Sequence, residues 1–169
     1  MQNTTDQPRQ VSKHSVLIID SDKILSSALS ILLESNGYRS VVLRHPDELL
    51  PALREGQFDL VLLECHHPDC DSVEVLKQLK EFDSDIAVVM MSDRDDPRKM
   101  EEVFNLGTSD FLRKPFEADD LLRKIEEILM RYAVQQVRCD CGNLLAVKRG
   151  GAIEIKCRRC KKIIRREIT

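Results

Sequence analysis

The chain has 169 residues, 42% of them hydrophobic and 33% charged, a size that suits one domain with a small appendage. No apolar run approaches the roughly 20 residues of a membrane span, and the start lacks the apolar segment of a signal peptide, so we expect a cytoplasmic protein. The net charge of −3 is the sum of two opposite parts, 16 − 26 = −10 over residues 1–137 and 10 − 3 = +7 over residues 138–169, which predicts an acidic domain followed by a basic one.

The first predicted elements are a polar tail, a strand and a helix. Residues 1–14 are polar and show no periodicity, so we predict a mobile tail there. The apolar run Val16–Ile19 predicts a strand, and Asp22 is suited to cap the helix that follows. That helix should end at Asn36 and Gly37, a typical C-terminal stop. Its apolar residues recur at helical spacing and are Ile24, Ala28, Leu29, Ile31, Leu32 and Leu33.

Strands and helices then alternate along the chain. Residues 58–63 are apolar apart from Asp59, as expected for a buried parallel strand. The helix over residues 118–132 has the clearest apolar side. Further strands are predicted over residues 38–43, 86–91 and 110–112, and further helices over residues 46–54, 72–82 and 97–106. This alternation predicts an α/β fold with a doubly wound parallel sheet and helices on both faces.

Polar residues stand at the carboxyl ends of four predicted strands. They are Asp20 with Ser21, Glu64, Ser92 and Lys114. In open α/β sheets, ligands collect outside the carboxyl ends of the strands, so we expect these side chains to form a site.

Residues 15–133 form the larger predicted domain, which resembles the receiver (CheY-like) domain of the response-regulator family in the motifs VLIIDSD, DLVLLECHHPDCDSVEVL, VVMMSD and LGTSDFLRKPF. The resemblance implies a flavodoxin-like sheet of five strands. It also implies a partner histidine that passes a phosphoryl group to a strand-end aspartate with the help of Mg²⁺. By resemblance, Asp20 and Ser21 take the positions of the acidic pair, Glu64 that of the phosphoacceptor, Ser92 that of the hydroxyl residue, Phe111 that of the switch aromatic and Lys114 that of the lysine.

Two of these positions depart from the family pattern. Phosphoryl transfer depends on positioning, so the extra methylene of Glu64 should make it a poor acceptor. Ser21 brings no charge where the family has a carboxylate, so we do not expect bound Mg²⁺. We therefore predict a degenerate, non-phosphorylatable receiver that is not an enzyme; the alternative is a working phosphoacceptor in a two-component phosphorelay. In the degenerate form Glu64 would pair with Lys114 and partly imitate a phosphoaspartate, with Ser92 and Phe111 placed as in an activated receiver.

The loop CHHPDC, residues 65–70, offers the thiols and imidazoles that Zn²⁺ or Cu⁺ prefers. No second CxxC-type pair lies nearby in sequence, so we favour an ordinary loop in which Cys65 points into the core. A metal site in this loop is the alternative.

Four further cysteines form a CxC pair and a CxxC pair; they are Cys139, Cys141, Cys157 and Cys160. Between the pairs, the segment LLAVKRGGAIEIK predicts a hairpin with Gly150 and Gly151 at its turn. About 32 residues bury too little apolar surface to fold alone, and a Cys₄ zinc site would stabilise them. Disulfides are the alternative, but cytosolic thiols stay reduced. The segment resembles Com-type zinc fingers, whose first pair is wider, so three-cysteine coordination stays open. We predict a linker at residues 134–137 and a structural zinc ribbon over residues 138–169.

The predicted partners follow from charge and from the resemblance. The ribbon is basic but carries no interleaved aromatic residues, so nucleic acid, RNA or DNA, and protein are equal alternatives as its partner. In receivers, the surface around the fourth helix, fifth strand and fifth helix carries the signal, and here it corresponds to Pro97–Tyr132. We therefore predict a signalling adaptor that binds a protein partner, or a second copy of itself, through that surface.

Overall fold

The computed structural model describes residues 14–133 and four short strands at residues 136–138, 144–147, 153–156 and 163–166. The predicted tail, apart from His14, and all four cysteines of the predicted zinc ribbon lie outside the described residues. Within the described residues, no helix is long and apolar enough to cross a membrane. In chain order, the elements of the larger domain are β1 (Ser15–Ile19), α1 (Lys23–Ser35), β2 (Arg39–Leu43), α2 (Leu49–Glu55), β3 (Leu60–Glu64), α3 (Ser72–Phe82), β4 (Ala87–Ser92), α4 (Pro97–Asn105), β5 (Asp110–Arg113) and α5 (Ala118–Ala133).

These five strands form one parallel sheet in the order β2-β1-β3-β4-β5. In its register, Val16 of β1 lies opposite Ser40 of β2 and Leu60 of β3. Parallel neighbours need crossover connections, and a helix supplies each of them. The predicted five-stranded α/β fold is therefore confirmed. The helix predicted over residues 46–54 is divided, because a 3₁₀ turn at Pro46–Glu48 precedes α2.

The core consists of two apolar clusters, one on each face of the sheet. Successive residues of a strand point to opposite faces. Leu17 and Val61 belong to the cluster that α2, α3 and α4 cover, whereas Ile18 and Leu62 belong to the cluster that α1 and α5 cover. Strands that are buried on both faces are nearly continuous in apolar residues, which explains the unbroken runs in the sequence. Because the sheet is packed on both faces, the positions of its strand ends are fixed.

Helix α1 begins directly after the first strand end. The Asp22 carboxylate accepts the backbone N–H groups of Ile24 and Leu25, at 2.8 and 3.1 Å, which confirms its predicted role as N-cap. The helix ends as predicted, at Asn36 and at Gly37, whose φ is +81°. The short connection from β1 to α1 holds the three intervening residues, Asp20, Ser21 and Asp22, at the carboxyl edge of the sheet.

Four strands follow the larger domain, namely β6 (Gln136–Arg138), β7 (Leu144–Val147), β8 (Ile153–Lys156) and β9 (Ile163–Arg166). β6 pairs with β7 and β8 pairs with β9, both antiparallel, in two separate sheets. The prediction that the segments around Gly150 and Gly151 pair with each other is therefore wrong. A glycine pair indicates a turn but does not decide which flanking strands pair. Each cysteine pair instead belongs to the segment that joins two paired strands.

Candidate functional site at the carboxyl edge of the sheet

Three charged side chains meet at the carboxyl edge of the sheet. Asp20 follows β1, Glu64 ends β3 and Lys114 follows β5. The Lys114 ammonium lies 2.6 Å from Asp20 Oδ2 and 3.5 Å from Glu64 Oε1. The predicted pairing of Glu64 with Lys114 is present, but Asp20 is the nearer partner of the lysine.

Ser21 holds the Glu64 carboxylate in place. The backbone N–H and the hydroxyl of Ser21 both donate to Glu64 Oε2, at 2.9 and 2.7 Å. Hydrogen bonds to an ionised acceptor are shorter and stronger than neutral ones. The sequence indicates Ser21 only as a lost metal ligand, whereas the structure gives it a partner across the site.

Asp20 is fully buried beneath the other groups. Its Oδ1 accepts the Asp22 backbone N–H at 2.9 Å, and its Oδ2 accepts a hydrogen bond from Lys114. Burial raises the pKa of the Asp20 carboxyl, because the loss of hydration outweighs the hydrogen bonds from Lys114 and from the backbone that lower it. A buried carboxylate needs a nearby countercharge, and Lys114 supplies it.

Ser92 is turned toward the loop that follows β4. Its hydroxyl donates to the Arg94 carbonyl at 2.9 Å and accepts the Arg94 N–H at 3.2 Å. The Nδ1 atom of His66 lies 3.3 Å from the same hydroxyl and 3.7 Å from Asp93 Oδ1. Among the described residues, Ser92 makes no hydrogen bond to Glu64. The Ser92 hydroxyl is therefore bonded within the loop after β4, and its placement as in an activated receiver stays a prediction.

Phe111 is half-buried on the edge strand β5. Its ring stacks on Phe104 of α4, with ring centroids 6.3 Å apart and an angle of 29° between the planes. Phe104 is itself 48% exposed. The two rings therefore contribute an aromatic patch to the surface between α4 and β5.

The loop after β3 packs partly into the core. Cys65 lies in the core as predicted, and burial raises the pKa of its thiol, which keeps it protonated and weak as a metal ligand. His67 is also buried, and its Nδ1 accepts the Asp69 N–H at 3.2 Å. Over the described parts of the chain, no group of three or more His, Cys, Asp or Glu residues is arranged to hold a metal ion.

His66 and Arg94 are the neighbours of the site that the sequence did not identify. Each stands two positions after a strand-end residue, in a loop on the site edge. That position is the one available signal, because loops at strand ends carry most functional contacts. Neither motif spacing nor periodicity distinguishes these residues.

Comparison with known proteins gives one consistent result. Residues 16–126 match the family described as response regulator receiver domain. The uncharacterized transcriptional regulatory protein YkoG of Bacillus subtilis is 31% identical over 119 residues, which are 70% of this chain and 52% of that protein. The transcriptional regulatory protein FixJ of Bradyrhizobium diazoefficiens is 31% identical over 118 residues, 70% of this chain and 58% of FixJ. The chain thus spans about half the length of the curated relatives it matches.

Solved structures agree with the fold. A response regulator receiver domain protein (CheY-like) from Methanospirillum hungatei has a TM-score of 0.68 at 24% identity, over 71% of this chain and 96% of that chain. Full-length FixJ from B. japonicum has a TM-score of 0.66 at 30% identity, over 72% of this chain and 60% of that chain. The first likeness concerns the fold alone.

Proposed function

The chain belongs to the response regulator receiver domain family, and from this premise we propose that it is a two-component signalling protein whose receiver site does not accept a phosphoryl group. In this proposal it works in the cytoplasm as an adaptor. Binding partners, rather than a substrate, carry its function, and it is not an enzyme.

The hydrogen bonding of Glu64 is the observation that carries this proposal. A phosphoacceptor needs a carboxylate oxygen that is free to attack, aligned with the incoming group. Here Glu64 Oε2 accepts two hydrogen bonds from Ser21, and Oε1 faces Lys114. Attack would require breaking these contacts, and the longer side chain has already carried the oxygen away from the end of β3.

The donor set also fits Mg²⁺ poorly. This cation requires near-octahedral oxygen ligation and usually binds through one or two carboxylates. Among the described residues, Asp20 and Glu64 are the carboxylates in ion pairs with Lys114, and their four oxygens already face Lys114 or donors of the loop after β1. The Lys114 ammonium thus provides positive charge where a cation would provide it, and Ser21 donates hydrogen bonds to the remaining Glu64 oxygen. We propose that the site holds no resident Mg²⁺.

Intact-mass measurement tests the proposal. The full chain is incubated with acetyl phosphate and Mg²⁺, and we expect no gain of a phosphoryl group. The matched control is the double variant Ser21→Asp/Glu64→Asp, which returns both carboxylates to the family pattern and should gain one Mg²⁺-dependent phosphoryl group. A Mg²⁺-dependent adduct on the unaltered chain, mapped to Glu64, would establish the alternative, a working phosphoacceptor.

The output surface in this proposal is Pro97–Tyr132, which comprises α4, β5 and most of α5. Two ion pairs mark it, Lys124 to Asp110 at 2.8 Å and Arg123 to Asp120 at 2.7 Å. The partner there is a protein or a second copy of the chain. Because a ligand moves an equilibrium only through different affinity for two states, a site that binds no phosphoryl group leaves this surface in one arrangement.

The basic segment after residue 137 would provide a second binding module, a zinc ribbon. The pairing of β6 with β7 and of β8 with β9 supports it, because each pair is joined by a segment that contains two cysteines. A CxC or CxxC pair can supply two thiolates to one tetrahedral Zn²⁺. The cysteines themselves lie outside the described residues. FixJ and YkoG are named as transcriptional regulatory proteins, so nucleic acid and protein are both candidate partners of the ribbon here.

A further inference from the structure

Helix α1 is apolar on its outer side as well as its inner side. Leu29 and Leu33 are buried in the core, whereas Ile24 and Ile31 are 84% and 67% exposed. Ala28 is exposed between the two isoleucines. Residues three, four and seven positions apart share one face of a helix, so these three side chains form a continuous stripe, here called the α1 stripe. An exposed apolar stripe that continues over two turns of a helix is a candidate contact surface.

The charges of α1 are confined to its two ends. Lys23 stands in the first turn and Glu34 in the last, and the residues between them are uncharged. The two charges are about three turns apart, which places them on the same flank of the stripe. An apolar stripe that is flanked at one end by a cation and at the other by an anion is complementary to an inverted copy of itself.

We propose that the α1 stripe binds the α1 stripe of a second copy of this chain, antiparallel, about a twofold axis near Ser27 and Ala28. In this arrangement Ile24 of each copy contacts Ile31 of the other. The small residues at the axis let the helices approach to about 8–10 Å. The same rotation brings Lys23 beside Glu34 of the second copy, once at each end, as an isologous interface requires.

The antiparallel orientation follows from the charges, because a parallel twofold pair would place the charged flanks of the two copies on opposite sides of the interface, where Lys23 would meet no Glu34. One helix pair is smaller than a standard interface of about 1,600 Å², so the dimer is a weak one, with a dissociation constant in the micromolar range. This interface is separate from the Pro97–Tyr132 surface. It does not depend on whether the site accepts a phosphoryl group.

Sedimentation of the full chain across the micromolar range tests the proposal. The unaltered chain should associate to a dimer, and Ile31→Lys should weaken that association at least about tenfold, because it buries an amine in the centre of the interface. Phe82→Lys is the matched control: Phe82 is 49% exposed at the end of α3, away from the stripe, and its variant should dimerise like the unaltered chain.

Charge exchange separates this interface from a general effect of surface charge. Lys23→Glu and Glu34→Lys should each weaken the dimer, and the two together should restore it with no change in net charge. Both substitutions suit the helix dipole, so unfolding of α1 would not explain a loss.

A chain that stays monomeric throughout would overturn the proposal and leave the α1 stripe to a helix of another protein. Dimerisation that survives Ile31→Lys would overturn it as well. So would association that is lost in Arg123→Glu but kept in the α1 variants, since the dimer would then use the Pro97–Tyr132 surface.

Discussion

At the scale of single residues, Ser21 and Glu64 act as a pair. A glutamate at the end of β3 reaches further than an aspartate, and a serine after β1 is shorter than the acid it replaces. Together they close the gap between the two loops with hydrogen bonds of 2.7 and 2.9 Å. An aspartate in place of Ser21, beside Glu64, would bring two repelling carboxylates together. An aspartate in place of Glu64, beside Ser21, would leave the gap unfilled. The two departures from the family pattern are therefore best understood as one change.

The buried carboxyl of Asp20 predicts a definite dependence of stability on pH. Its pKa is raised above 3.8 in the folded chain, chiefly by burial, so the folded state holds the proton to higher pH than the unfolded state. The free energy of unfolding therefore falls as the pH rises from about 3.8 through the folded pKa. Urea unfolding of the unaltered chain and of Asp20→Asn should show this fall in the first and not in the second. The opposite slope would mean that the ion pair with Lys114 outweighs burial and lowers the pKa.

The sequence predicts which residues meet at the site but not which atoms bond. Asp20, Glu64 and Lys114 could be placed together because each ends or follows an apolar strand, and parallel strand ends share one edge. Lys114 lies nearer to Asp20 than to Glu64, and Ser92 bonds Arg94. Both details depend on side-chain rotamers and on shifts of about 1 Å in the positions of neighbouring loops. Periodicity carries no information at that scale.

At the scale of elements, helix and strand positions followed from local patterns, and pairings beyond the parallel sheet did not. The helix predicted over residues 72–82 has the bounds that the structure gives to α3, because its apolar residues recur at helical spacing, which is a local signal. β7 and β8 were predicted to pair with each other, yet each pairs with its other neighbour. Each of these strands could pair with either of its neighbours in sequence, because the local sequence suits both pairings equally well. The Gly-Gly turn alone does not decide between them.

The end of α1 depends on one glycine. Gly37 has a φ of +81°, and a Cβ atom there would meet nothing within 4 Å, so a substitution would cost only backbone strain. We expect Gly37→Ala to lower the free energy of unfolding by about 1–2 kcal/mol. Gly37→Asn should cost less, because asparagine adopts the left-handed conformation more readily. Chemical denaturation measures both. Equal and negligible effects would show that the turn relaxes to a negative φ.

At the scale of the whole molecule, the chain has two parts of opposite charge, and in our proposal each part binds its own partner. The acidic part, with −10 over residues 1–137, contains the receiver, and the basic part, with +7 over residues 138–169, contains four of the six cysteines. A packed sheet with a core on both faces stabilises the first part. The second part is too short to do the same, and in our proposal it depends on a bound Zn²⁺.

Zinc removal should therefore affect the two parts differently. Freshly purified protein should contain one Zn²⁺ per chain, and a chelator should unfold residues 138–169 while residues 15–133 keep their structure. Elemental analysis and hydrogen exchange measure these outcomes. Cys157→Ser should lose the metal, and Cys70→Ser, in the loop of the larger domain, should retain it. An absence of zinc, or unchanged zinc in Cys157→Ser, would rule out the ribbon.

The surface of α4, β5 and α5 should be indifferent to phosphodonors. In a working receiver, a hydroxyl residue and an aromatic link the site to this surface. In the part of the chain that the structure describes, Ser92 bonds Arg94 and makes no hydrogen bond to Glu64, while Phe111 packs on Phe104. Hydrogen exchange over residues 97–132 should be the same with and without acetyl phosphate and Mg²⁺.

The double variant Ser21→Asp/Glu64→Asp is the positive control for that measurement, because restored phosphorylation should change exchange in the same segment. Arg123→Glu tests the surface as a docking site more cleanly than Lys124→Glu does. Within the described residues, Arg123 is exposed and its ion pair is with Asp120 of its own helix, whereas Lys124 pairs α5 with Asp110 of β5. Loss of partner binding in Arg123→Glu, with exchange elsewhere unaltered, is the expected result. A change of exchange over residues 97–132 in the unaltered chain on addition of phosphodonor would show that the receiver still switches.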